Sequence, residues 1–181
     1  YCDLFKIHRT YLTTNEHINK VPLKRLLEKI AEVEEQNLIK IYSHNSAKKI
    51  TPNPSDRKEL LDSIQIIDSK YVDNVRLGQP GYRDRFYYKY FKISPQEHDF
   101  NKSLKVISQN YFDGLCWTFK YYKKGCADWN WCYRYHQSPL TSDFLKVFEN
   151  LNFSKEFIKN TPVCQFSQLL SVLPAESNHL L

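Results

Sequence analysis

Leu104, Ile107, Tyr111, Leu115, Thr118 and Tyr122 recur at steps of three and four, the spacing that places side chains on one face of an α-helix. That periodicity commits residues 101–124 to one long helix, and Gly125 is well placed to end it in a left-handed conformation. Lys120, Lys123 and Lys124 fall in the last turns, where cations complement the partial negative charge of unpaired carbonyls and need no ligand to explain them. A second stripe, Leu23, Leu26, Leu27, Ile30 and Val33, predicts a helix over residues 22–42, with Pro22 tolerated in its first turn. Its other face carries Glu28, Glu32 and Glu35, a solvated charged face rather than a metal cluster. Glu34 falls on the apolar side and is the one break in the pattern.

Shorter helices are expected near 143–150 and 165–173, with Asp143, after Ser142, opening the helix Phe144 to Asn150. From His44 to Asp73 the sequence turns polar around Pro52 and Pro54, with an apolar patch at Ile64 to Ile67; this reads as a mobile connection holding at most one short helix. The stretch GYRDRFYYKYFKI mixes Arg83, Arg85, Lys89 and Lys92 with aromatics, and reads as a packed element with basic edges before a phosphate-tracking surface. Helix therefore exceeds strand, and the fold class is mainly α, of α+β type, with one extended aromatic segment.

A chain of 181 residues is long enough to bury one core, and its net charge of +6 points to an anionic partner, nucleic acid before a membrane surface. No run approaches the roughly 20 apolar residues of a membrane span, and YCDLFKIHRT lacks a signal-peptide pattern. Five Cys without an even, closely spaced framework read as reduced thiols in an intracellular compartment. The absence of Met and the abrupt end at Asn178-His179-Leu180-Leu181 suggest that both ends are cuts.

After Gly125 comes CADWNWCYRYHQSP, in which Trp129, Trp131, Tyr133 and Tyr135 alternate with Asn130, Cys132, Arg134 and His136. An extended backbone would put the aromatics on one face and a mostly polar set on the other. Such a face can stack nucleobases, yet on the residues alone sealing a core is the more economical use of it. Cys126, Cys132 and His136 lack the ligand spacing of a zinc site, and nothing orients Cys132 and His136 as a nucleophile pair. A two-metal nuclease needs several converging carboxylates, but Asp113, Asp128 and Asp143 stand isolated and no D-x-D pair occurs. No catalytic or metal-binding residue is therefore assigned within the chain.

The run YFDGLCWTFKYYKKGCADWNWCYRYHQSPLTSDF resembles the second conserved region of the Xrn/Rat-type 5′→3′ exoribonucleases. YLTTNEHINKVPLKRLLEKIAEVEEQ and QFSQLLSVLPAESNHLL resemble the flanking parts of that region, in the same order. The chain departs from the family pattern at Asp128, Cys132, Arg134 and Gln137-Ser138, on or beside the aromatic face. The resemblance divides the chain into a helical first part at 1–43, a polar variable connection at 44–75 and an aromatic-rich main part at 76–181.

What the resemblance implies is a processive enzyme that hydrolyses RNA bearing a 5′-monophosphate, using Mg²⁺ held by carboxylates upstream of Tyr1. In that family this region packs against the α/β catalytic domain, braces its site and supplies a tryptophan that stacks on a base near the 5′ end. Carried over, that residue is Trp129 or Trp131, with Arg134 and His136 as weaker RNA contacts. DNVRLGQPGYRDRFYYKYF is closer to the nuclear branch and VLP to the cytoplasmic one, so the nucleus is favoured over the cytoplasm. The alternative reading is a non-catalytic RNA-binding or scaffolding module. The partners implied are RNA and the upstream catalytic domain, with no membrane.

Overall fold

The computed structural model describes residues 11–14, 17–47 and 75–173. Its elements are α1 (Lys20–Ala47), α2 (Tyr82–Phe91), α3 (Phe100–Lys124), α4 (Thr141–Val147), a 3₁₀ turn (Phe148–Asn150) and α5 (Gln165–Val172). The β-type pairing among the described residues is the isolated bridge Thr13–Ile18, so the fold is mainly helical, as the periodicity predicts. The expected connection falls largely outside the described residues, apart from His44 to Ala47, which continue α1.

Along α1 the apolar stripe is only half used. Leu23 is buried and Leu26, Leu27, Glu34 and Leu38 are half-buried, whereas Ile30 and Val33 are 42% and 45% exposed. Glu34, the break in the pattern, has a partner on another helix: its carboxylate accepts the N–H groups of Thr141 at 2.5 Å and Ser142 at 3.0 Å. The first N–H groups of a helix have no intrahelical acceptor, and a negative charge there is favoured by the helix dipole. Glu34 thus caps α4 from a distance in sequence that no local pattern reveals.

Asp143 does not open a helix, as expected from its place after Ser142; it lies inside α4 and is buried. One of its oxygens accepts from Arg83 Nη1 at 2.6 Å and from the Tyr87 hydroxyl at 3.0 Å, and the other from Lys146 Nζ at 2.6 Å. Burying a carboxylate is costly unless it is paired and hydrogen-bonded, and here both oxygens are satisfied. Burial first, and the neighbouring Asp143 second, push the Tyr87 hydroxyl far above its ordinary range, so it stays a donor.

The aromatic-rich stretch before residue 93 is the helix α2, a packed element as expected. Tyr82, Phe86, Tyr87 and Phe91 form its buried face. Arg83 is spent on Asp143 and Ser142, and Arg85 donates to the carbonyls of Val75 and Pro80, both at 2.8 Å, stitching the preceding loop to the helix. The chain passes over α1 at Gly78, whose φ is +76° and where a β-carbon would lie 2.6 Å from Ile39 Cγ1. Only glycine fits both demands.

Among the described residues two apolar clusters form the core. Val75, Tyr82, Phe86, Tyr87, Phe91, Leu104, Ile107, Leu140 and Val147 make one; Leu23, Phe112, Phe144, Phe148 and Leu151 make the other. The short α4 contributes to both, Val147 to the first and Phe144 to the second, and so wedges α1, α2 and α3 together. The stripe on α3 is buried at Leu104 and Ile107 but runs out toward its end, where Tyr122 is 83% exposed. Gly125 ends α3 with φ +84° as expected, though its ψ of −170° is extended rather than left-handed helical.

Candidate nucleic-acid interface

Residues 126–140 carry no ladder hydrogen bonds; instead the segment runs antiparallel along α3 and is fastened to it side chain by side chain. The indole N–H of Trp117 donates to the Asp128 carbonyl at 2.9 Å, and the Arg134 N–H donates to Asn110 Oδ1 at 3.0 Å. Between these ties Trp131 lies over Gly114 and stacks on Trp117, with ring centroids 6.0 Å apart. Tyr133 meets Tyr111 at 5.9 Å, and Tyr135 meets Phe91 at 5.3 Å. Burial, followed by the neighbouring Tyr111 and Tyr135, pushes the Tyr133 hydroxyl well above its ordinary range; it donates to the Gln137 carbonyl at 2.6 Å.

Alternation therefore holds from 131 to 136: Trp131, Tyr133 and Tyr135 are half-buried, and Cys132, Arg134 and His136 are exposed. It fails at Trp129. The chain bends at residues 129 and 130, and Trp129 is 52% exposed, with no aromatic neighbour for its ring among the described residues. The expected row of four aromatics is thus three packed rings and one free one.

The free ring stands on a fixed backbone. Asn160 accepts the Trp129 N–H on Oδ1 at 2.8 Å and donates Nδ2 to Asp128 Oδ1 at 3.0 Å, while Asp128 Oδ1 also accepts the Asn130 N–H at 2.8 Å. Phe157 closes the outer side of Trp131, edge-on at 6.0 Å. Asp113, buried in α3, accepts from Lys155 Nζ at 2.6 Å and Gln109 Nε2 at 2.8 Å, and so holds the segment that carries Phe157 and Asn160. A ring on a pre-set backbone loses little freedom when a partner stacks on it.

Beside this segment, at the end of α3, lies a cavity of about 290 Å³ lined by Lys120, Lys123, Lys124, Lys159, Phe119, Phe157 and His17, and by residues 125–127. Among the described residues no carboxylate lines it. Among the described residues no group of three His, Cys, Asp or Glu could hold a metal ion, and no helix is long and apolar enough to cross a membrane. The buried carboxylates Asp113 and Asp143 are each spent on basic partners, so neither fits a Mg²⁺ site.

Sequence reasoning named Trp129 and Trp131 but missed Asn160 and Lys159, which come from an irregular segment with no periodic signal. Asp128, noted in the sequence as an isolated carboxylate and a departure from the family pattern, is the residue that pins the bend.

Residues 14–181 match the family described as the Xrn1 helical domain. The chain is 32% identical over 176 residues to 5′-3′ exoribonuclease 2 of Schizosaccharomyces pombe, covering 96% of this chain and 17% of that protein. Against 5′-3′ exoribonuclease 2 of Aspergillus oryzae it is 37% identical over 131 residues, 72% of this chain and 12% of the relative. With the Saccharomyces cerevisiae protein of the same name it shares 42% identity over 107 residues, 59% of this chain and 10% of that one. The chain spans between 10% and 17% of the length of these relatives. With a helical fold, a matching family description over nearly its whole length and relatives of one name, the chain belongs to the Xrn family of 5′→3′ exoribonucleases, within the helical domain.

Proposed function

We propose that this chain is the helical brace of a processive 5′→3′ exoribonuclease that hydrolyses RNA with a 5′-monophosphate, and that Trp129 is the ring that meets a base. Hydrolysis and the Mg²⁺ that serves it belong, in this reading, to carboxylates outside residues 1–181, in a catalytic domain against which this region packs. A nuclear setting belongs to the same proposal, on the likeness of residues 73–91 to the nuclear branch. The observation that carries the RNA reading is the split between neighbours: Trp131 is packed against Gly114, Trp117 and Phe157, whereas Trp129 is held at its backbone and free at its ring. A stacked ring is indifferent to base identity, which suits an enzyme that must advance along any sequence. Arg134 and His136, exposed on the far side of the segment from the packed rings, are secondary contacts in this reading.

The experiment is Trp129→Ala beside Trp131→Ala in the whole enzyme. Trp129→Ala is expected to weaken RNA binding by about 1–3 kcal/mol, equally for all four bases, without lowering the melting temperature. Trp131→Ala is expected to lower stability instead. If Trp129→Ala folds well and binds and degrades RNA at the parental level, the stacking role is wrong.

A further inference from the structure

We propose that the cavity at the end of α3 is a phosphodiester subsite, holding the RNA backbone beside the base that meets Trp129; the inference rests on the reading that this face contacts RNA. Lys120 and Lys123 enter from α3, and Lys159 enters from the segment whose next residue, Asn160, holds the Trp129 backbone. Helix-end electrostatics accounts for a lysine such as Lys123 in a last turn. It does not account for Lys159, which lies in no helix.

Among the described residues neither Lys123 nor Lys159 has an ion-pair partner, and the Lys120 ammonium sits 5.3 Å from the Phe157 ring centroid. Ammonium groups gathered around one cavity repel each other unless an anion enters it. Cys126 and Ala127 also line the cavity, and their backbone N–H groups have no acceptor among the described residues. Unpaired backbone donors beside cations make an anion-binding concavity. Ala127 is two residues from Trp129, so the Cα atoms of the cavity wall and of the residue that carries the free ring are at most about 7 Å apart. Proteins that bind single strands without sequence preference combine these two parts, a positive groove that tracks phosphates and a ring that takes the base.

The test measures binding of a short single-stranded RNA to the whole protein, without divalent metal, across a range of salt. Neutralising the three lysines together (K120Q, K123Q and K159Q) is expected to flatten the slope of log affinity against log salt by about 0.7 and to weaken binding about fivefold at 0.1 M salt, the signature of one lost phosphate contact. Lys159→Gln alone, whose side chain has no ion-pair partner to lose among the described residues, shows part of the same change and removes misfolding as an explanation. Trp129→Ala weakens binding and leaves the slope unchanged, so the two readings fail separately. Parental affinity and slope in the triple variant would overturn the subsite. So would adenosine 5′-monophosphate binding to the parent but not to the triple variant without displacing RNA, since the cavity would then belong to a free nucleotide.

Discussion

Trp131 lies against α3 where Gly114 has no side chain: a β-carbon there would come within 3.0 Å of the indole Cη2. The ring fills that gap and is covered by Phe157, so its removal in Trp131→Ala is expected to cost about 2 kcal/mol, below the 3–5 typical of a fully buried Trp. Cys116 gives a second check on this packing. Burial first, and Asp113 second, push its thiol from 9.0 up to about 11, whereas Cys132 is exposed. Because the thiolate is the reactive form, raising the pKa withholds reactivity until the pH nears that value. Alkylation by iodoacetamide, followed by mass spectrometry from pH 7 upward, should modify Cys132 well before Cys116; equal rates at pH 8 would mean that α3 is not packed as described. The alternation of aromatics was legible in the sequence, and it identifies the face of Trp131, Tyr133 and Tyr135 correctly. The departure of Trp129 was not, because it depends on Asn160, which meets the bend only through the tertiary fold.

At the scale of elements, α1 and α3 were legible from periodicity because each has an apolar face to bury and a punctuating residue at one end. The stripe overstated what α1 buries, since Ile30 and Val33 face away from the rest of the described chain. Helix α2 escaped assignment because residues favoured in strands fill it, and burial of Tyr82, Phe86, Tyr87 and Phe91 overrides that preference. Helix α4 lacks a side-chain cap of its own and takes one from α1. Glu34→Ala removes the acceptor of two N–H groups at once and is expected to cost about 1–2 kcal/mol. In a urea titration this lowers the midpoint and leaves the slope unchanged. A parental midpoint would show that water caps α4 equally well.

For the whole molecule, the apolar surface is larger than the described fold uses. Helix α5 buries none of its residues, with Phe166 63% exposed, and Val21, Ile30, Val33 and Ile41 of α1 are exposed as well. Surface of this kind marks a face that meets another body, and the proposed function gives that place to the catalytic domain. Nothing in the sequence of α5 separated a face turned to its own core from one turned to a neighbour, because both are written in the same spacing. The direct test of the account is a single assay: 5′-monophosphorylated RNA and Mg²⁺, incubated with the 181-residue chain and, in parallel, with the full polypeptide that carries it. The account predicts metal-dependent release of mononucleotides from the 5′ end by the full polypeptide and none by the segment. Release by a clean preparation of the segment, or none by the full polypeptide, would contradict it.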